Sequence, residues 1–595
     1  MKRRNHSTSF LGLSLCFLIS TLTQANAESV LVRGGTLIDG TGRTPIANAS
    51  VLITDGMIAR VWSGNAGAPV LPDGTQIVEA KGKFIIPGLI DSHVHYDWWE
   101  GELFINHGVT SIYSMGGTGN SANALRKGIN SGKIVGPRMF SSAGLQGGPR
   151  SRVEGVNPAG GARPEGPNVI REPSDAAAAI AALKKSPAPP IFVTVNEGWR
   201  GEYVKAVTEA ARANGLAVMS HSYNALDSSD WGVKGLEHMT GVGLAAIRDP
   251  EGKKSPSATY ECPRGLAPVL LLQTTCLSAG WKNSLLYQWM DRSSFDEIIG
   301  HLVKNDTYIN PTLTFEWKGV TDRKTQFELE DTKLLGTPGL QYVPDDEKAL
   351  TLWQYHWADM RSPEDRARFL KGYKNVQEFL RKFVAAGGKI YSGTDTAAAL
   401  TPGLSLHHEM QLLVDAGISP MNALRSSTKW AAEWAGMDKT IGTVEEGKYG
   451  DVVVLAADPL KDIHNTQTVV QVIKGGVVQK LGYNAAYEST APFRQFGPVS
   501  KHLYNQPPLV QRLVPDIAPQ GSEVWVQLAG RHFAPNSVVL FDGQPVETKF
   551  GGDGEISGRL TPAQTSRPGS YRIGVSTPKP GGGIAEGLTF VVDYP

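Results

Sequence analysis

The sequence predicts an eight-stranded parallel α/β barrel, flanked on both sides by short β-strands and followed by a separate all-β sandwich domain. Three features carry that expectation. In the middle of the chain, strand-like apolar runs alternate with amphipathic helical runs, as in βα units that close into a barrel. Before and after this region, SVLVRGGTLIDGTG, ASVLITDGMIARVWSG and IGTVEEGKYGDVVVLAADP are hairpin-like stretches punctuated by Gly and Asp-Gly. From residue 508 onward, VWVQLAG, SVVLFDG, YRIGVST and GLTFVVDY are separated by turn clusters. A length of 595 residues accommodates a barrel of roughly 250 residues or more together with these smaller units.

At the N-terminus, Lys2, Arg3 and Arg4 precede an apolar run from Phe10 to Thr21, and Ala25-Asn26-Ala27 follows as a small-x-small cleavage site. These three regions read as a signal peptide over residues 1–27, with export to the periplasm or secretion as the expected fate. The apolar run is about half of the ~20 residues that a membrane span needs, and no later stretch is expected to span. Cleavage leaves Cys262 and Cys276, which in an oxidising compartment are either a disulfide or two free thiols.

Barrel strands are expected at Phe84–Ile90, Val109–Tyr113, Arg138–Ser141, Ile191–Val195, Ala217–Ser220, Gly235–Glu237, Tyr308–Pro311 and Lys389–Ser392. Between them, Ser174 after Pro173 opens an Ala-rich helix. Glu202–Ala213 places Tyr203, Val204, Val207 and Ala211 on one face and stops at Gly215. Ser419-Pro420 is an N-cap followed by Pro at the first helical position, for a helix ending near Gly436. The segment between the seventh and eighth strands is too long for a plain loop and is expected to carry its own helices and to form a lid. The resulting units are 28–86 with 437–480, a barrel over 87–436, a linker over 481–507 and the C-terminal domain over 508–595.

Composition narrows the partners. Lys plus Arg is 58 and Asp plus Glu is 57, a formal net charge of +1, so there is no basic excess to grip nucleic acid. A small-molecule substrate is expected, and a homo-oligomer stays open.

The residues that carry chemistry lie at strand ends. In PGLIDSHVHYD, His93 and His95 are two apart directly after an apolar strand, so both imidazoles lie on one side of the chain. At the C-terminal mouth of a barrel, that side is the interior, where two imidazoles can share a cation. GLAVMSHSYN ends a strand in His221, VKGLEHMTG ends another in His238, and GGKIYSGTDTAA ends a third in Asp395. Such nitrogen and oxygen donors suit Zn²⁺, and also Mn²⁺, Fe²⁺ or Co²⁺.

With these residues in place, the chain resembles the metal-dependent amidohydrolase superfamily, in particular its imidazolonepropionase and Xaa-Pro dipeptidase-like branch. The resemblance covers about residues 29–480 and rests on VLVRGGTLIDGTG, PGLIDSHVH, SGTDT, ALRSSTKWAAEWAG and IGTVEEGKYGDVVVLAADP. It implies a (β/α)8 TIM barrel whose two flanks combine into a small β-sandwich, and hydrolysis of a C–N bond by water activated on a divalent metal. His93, His95, His221 and Asp395 would bind the metal. Asp395 would also be the general base, and His238 would be either a second-metal ligand or a hydrogen-bond donor to substrate. The C-terminal domain resembles the IPT/TIG immunoglobulin-like module.

One position departs from the pattern. Two-metal members of this branch carry a strand-four lysine that becomes carboxylated and bridges the ions, whereas PPIFVTVNEGW places Thr194 there. Thr cannot form a carbamate, so a single ion is expected, with Glu197 and His238 as candidate ligands of a second. Aromatic and basic residues just past strand ends are candidate substrate contacts: Tyr96, Trp98, Trp99, Trp199, Arg200, Tyr223, Phe315 and Trp317, with Arg200 suited to a substrate carboxylate. Two other readings are a deaminase of the same fold and a catalytically degenerate binding or adhesion protein. A deaminase usually places Glu shortly after the strand-five His, where this chain has Ser222, Tyr223 and Asn224.

Overall fold

The chain crosses from one sheet to another at Gly88. Phe84–Pro87 pairs antiparallel with Val452–Leu455 in the flanking sheet, whereas Leu89–Val94 is the first strand of the barrel. The single strand expected over Phe84–Ile90 is therefore two. A Cβ at residue 88 would lie 2.0 Å from Thr110 Oγ1, so the crossing has room for glycine alone. In this computed structural model the described residues are 29–487 and 508–594, less 66, 98, 116, 118, 148–168, 196–198, 223, 248–285, 357, 360–362, 397–399, 532, 534–535, 553 and 578–582.

The two flanks of the barrel join into one eight-stranded sheet. Ser29–Leu37 pairs with Ile46–Thr54 on one side and with Gln76–Glu79 and Phe84–Pro87 on the other, and Val452–Leu455 carries the ladder on to Val469–Lys474. The alternate side chains Val30 and Val32, Val51 and Ile53, and Val452 and Val454 fill one core.

The barrel sheet contains seven parallel strands in chain order: Leu89–Val94, Val109–Ser114, Arg138–Gly144, Phe192–Val195, Ala217–Ser220, Gly235–Glu237 and Tyr308–Asn310. The expected eighth strand over Lys389–Ser392 is reduced to single bridges, Ile390 to Ile309 and Thr396 to Val94. Between the two bridges, Asp395 adopts a left-handed conformation, φ 61°.

The helices follow the expected faces. Gly201–Ala213 buries Tyr203, Val204, Val207 and Ala211. Ser419 caps Pro420–Ser426 by accepting from the Asn422 amide at 3.3 Å, but the run expected to reach Gly436 breaks at Ser427 and resumes as Lys429–Trp434. The long segment between strands seven and eight does fold into helices, Leu313–Trp317, Lys324–Leu335, Asp345–Trp353 and Pro363–Ala385. Among the described residues, no helix is long and apolar enough to cross a membrane.

Residues 481–487, the start of the expected linker, are bound to the barrel. Tyr483 packs on Gly339, the Asn484 amide donates to Glu102 at 3.0 Å, and Tyr487 lies 4.7 Å from the ring of Tyr342. The C-terminal region forms a four-stranded and a five-stranded sheet around a core that includes Val526, Leu528, Val539, Ile556, Ile573 and Phe590. It rests on the barrel helix Asn120–Asn130, where Asp593 pairs with Lys127 at 2.8 Å and the Tyr594 ring occupies the space left by Gly128.

Candidate metal centre

His93, within strand one, and His95, one residue past its end at Val94, both face Asp395, which follows the bridge at Ile390. His93 Nε2 lies 3.3 Å and His95 Nε2 3.2 Å from Asp395 Oδ1. Ligand atoms of these three residues lie within 4.8 Å of one another, the one such His, Cys and acidic group among the described residues. The Asp395 amide donates to the His93 carbonyl at 2.9 Å, which ties the two strand ends together. A Cβ on Gly393 would lie 2.6 Å from the His93 nitrogen, so the approach needs glycine there.

The ends of strands five and six complete a ring of imidazoles. The His221 ring centroid is 6.0 Å from that of His93 and 5.2 Å from that of His238. His238 Nε2 is 3.9 Å from Asp395 Oδ2, and its Nδ1 is 2.6 Å from the Thr312 hydroxyl.

Behind His93 lies a buried carboxylate that sequence reasoning missed. Glu237 Oε2 is 2.8 Å from His93 Nδ1 and accepts from Asn310 Nδ2 at 2.9 Å, while Oε1 accepts from the Tyr391 hydroxyl at 2.7 Å. The available signal was a single acid inside the otherwise apolar end of VKGLEH, next to His238. Asp91, equally buried, accepts from the Thr394 amide at 3.0 Å and the Thr394 hydroxyl at 2.7 Å, and so fixes the turn that leads into Asp395.

Electrostatics separates the histidines. Burial disfavours the His93 imidazolium, but Glu237 and Asp395 outweigh it and hold that ring well above its ordinary value. Burial likewise opposes ionisation of Asp395 and Glu237, yet the facing histidines keep both carboxyls below the usual range. His238 is pushed down to about 4 by burial, against the pull of Asp395, so it is neutral near pH 7.

The donor set fits a divalent cation. Without a metal, the His93 ring faces Glu237 through Nδ1 and Asp395 Oδ1 through Nε2, with both carboxylates favouring a proton on the nitrogen they face. A divalent cation can take the place of the Nε2 proton between the same two atoms, and two imidazoles with a carboxylate are the donors Zn²⁺ takes.

The remaining sequence-derived candidates are dispersed. Thr194 is buried on strand four, Phe192–Val195. Tyr96 stacks on Phe104 at 6.1 Å, Trp99 is buried with Leu103, Leu340 and Val343, and Trp199 is buried in the main core. These three rings lie in apolar clusters, where their large area is removed from water. Arg200 is exposed and pairs with Glu202. Phe315 does reach the centre, 5.9 Å from the His238 ring, whereas Trp317 is buried against Tyr287 and Tyr373. Trp98, Glu197, Tyr223, Cys262 and Cys276 lie outside the described residues.

Comparison with known proteins gives a family match over part of the chain and a fold. The amidohydrolase family profile matches residues 321–478. An adenine deaminase of Paracoccus denitrificans is 36% identical over 92 residues, 14% of this chain and 15% of that protein. A dihydroorotase of Pelotomaculum thermopropionicum is 44% identical over 66 residues, 11% of this chain and 14% of that protein. The chain thus matches only about 15% of the length of these curated relatives. Among solved structures, a Xaa-Pro dipeptidase with methionine in its active site superposes with a TM-score of 0.51 at 20% identity, over 76% of this chain and 100% of that one. Molinate hydrolase gives 0.51 at 18% identity, over 80% and 99%. At such identities the likeness is one of fold.

Proposed function

We infer that this chain, which carries an amidohydrolase-family domain, hydrolyses carbon–nitrogen bonds of small molecules, amides and small peptide-like bonds in particular. The observation that carries this reading is the convergence of His93 Nε2 and His95 Nε2 on one oxygen of Asp395. His93, His95, His221 and Asp395 would hold a divalent ion, Zn²⁺ by the nature of the donors. Such an ion supplies Lewis acidity, which lowers the pKa of water and polarises the scissile carbonyl.

The protein groups supply the rest. Asp395, kept ionised by its histidines, takes the proton of the attacking water and delivers it to the leaving nitrogen. His238 has Nδ1 engaged with the Thr312 hydroxyl, which leaves Nε2 to donate to the carbonyl oxygen. Thr194 cannot become a bridging carbamate, which supports one ion over two. A deaminase reading is disfavoured by Asn224, whose side chain accepts from the Leu226 and Asp227 amides as a helix cap.

Export over the leader at residues 1–27 is part of the same proposal, and N-terminal sequencing of the mature protein is expected to begin at or near Glu28. The central experiment is elemental analysis of purified protein paired with a screen of acyl-amino acids, dipeptides and cyclic amides. About one equivalent of metal with amide turnover supports the reading. Ammonia release from adenine without amide turnover would transfer it to the deaminases, and folded protein with neither metal nor turnover would leave a binding protein.

A further inference from the structure

We propose that Glu237 is the positioning residue of the metal centre: it fixes the His93 tautomer from behind and places a second negative charge next to that ligand. The inference rests on the metal-dependent reading above and deepens it.

Glu237 is 1% exposed, 144 residues from His93 in sequence, and has hydrogen-bonding neighbours arranged around its two oxygens. Oε2 receives His93 Nδ1 at 2.8 Å and Asn310 Nδ2 at 2.9 Å, and Oε1 receives the Tyr391 hydroxyl at 2.7 Å. The partners are themselves held. Tyr391 stacks on Trp434 with centroids 4.2 Å apart and planes 8° from parallel, and the Gly393 amide donates to Asn310 Oδ1 at 2.9 Å. A Cβ at Gly235 would lie 2.4 Å from the Tyr391 hydroxyl, so the small residue two before Glu237 makes room for that donor.

Two consequences follow. A carboxylate at Nδ1 requires the proton there, so Nε2 presents its lone pair in a fixed direction and the ring becomes a stronger donor. Charge also closes. Asp395 contributes one negative charge at the ligating atoms and Glu237 a second through the imidazole, which matches a divalent ion without the carbamate that Thr194 cannot form.

The test is Zn²⁺ affinity of the metal-free protein, measured by competition with a chromophoric chelator, with the visible spectrum of the Co²⁺-loaded protein as a second readout. Glu237→Gln keeps the size and an acceptor for His93 but removes the charge. It is expected to weaken Zn²⁺ binding by about 10–100-fold and to shift the Co²⁺ bands, with the circular dichroism of the metal-free fold retained. Tyr391→Phe removes one donor to Glu237 and should weaken binding by a smaller, several-fold step; it carries the test if Glu237→Gln does not fold. Wild-type affinity and an unshifted spectrum in whichever of these variants folds would overturn the proposal. If wild-type protein itself binds neither Zn²⁺ nor Co²⁺, the parent reading and this one fall together, whereas metal lost on His93→Ala but unaffected by Glu237→Gln and Tyr391→Phe rejects the role of Glu237 alone.

Discussion

His238 and Asp395 face each other across 3.9 Å, Nε2 to Oδ2, and each sits in left-handed backbone, with φ of 56° and 61°. Thr312, whose hydroxyl holds His238, shares that conformation at φ 43°. Non-glycine residues reach this region at a cost of the order of 1–3 kcal/mol each, and three in one contact chain mark a site whose side-chain directions matter more than its backbone ease. There the side chains at the end of strand six and on the last segment meet.

Removing a primary ligand and removing the base should differ. His93→Ala is expected to abolish turnover and bound metal together, because Nε2 is one of the converging atoms. Asp395→Asn should abolish turnover while retaining part of the metal, since the imidazoles persist and only the proton carrier is lost. Elemental analysis beside initial rates checks both, and near-normal activity in either variant would reject that residue's role.

His238 discriminates one ion from two. As a donor to substrate, its replacement by Ala should lower kcat by about 10²–10³-fold with metal content unchanged. Two ions in active wild-type protein, falling to one in His238→Ala and in Glu197→Ala, would instead make both residues ligands of a second ion.

Lys318 sets a pH dependence of stability away from the centre. It is 1% exposed, with its ammonium over the Tyr355 ring at 4.5 Å and donating to the Thr351 carbonyl at 3.2 Å, and burial pushes it down to about 8. Below pH 8 the folded protein holds a buried charge. Between about 8 and the unfolded value near 10.4, the unfolded chain binds more protons than the folded one, so this group's contribution becomes more favourable as pH rises. Lys318→Met is therefore expected to stabilise by about 1–3 kcal/mol at pH 7, with the advantage shrinking as pH is raised through that window. Urea unfolding of both proteins at several pH values measures the difference, and a pH-independent difference would reject the buried-charge account.

Truncation before residue 508 is expected to leave a folded, active hydrolase. It removes the ion pair of Asp593 with Lys127 and the packing of Tyr594 on Gly128. Both interactions lie on a helix outside the barrel sheet, whereas His93 and Asp395 sit at the ends of its strands. Exposure of the Gly128 and Ile134 surface should lower stability by about 1–3 kcal/mol. Activity assays and thermal unfolding of the truncated protein check both points, and loss of activity with the barrel still folded would show that the module shapes the site.

What the sequence by itself determined is what short-range periodicity encodes. Alternation at period two places His93 and His95 on one side of a strand, and a turn after an apolar run marks His221, His238 and Asp395 as strand ends. The 3.6-residue spacing in Gly201–Ala213 names its buried face before any contact is known. Tertiary structure alone decided the rest, because these outcomes depend on partners far along the chain. Glu237 is one acid among many until folding brings His93 Nδ1 to its carboxylate, and Tyr96, Trp99 and Trp199 read as pocket aromatics until packing offers their rings a dry surface. The same holds for Gly88, whose crossing between two sheets is dictated by a threonine on the neighbouring strand, and for Asp395, whose left-handed backbone lies between the eighth segment's two bridges and whose carboxylate faces three histidines. Local sequence sets which residues can share a face, and long-range packing sets which of those faces meet.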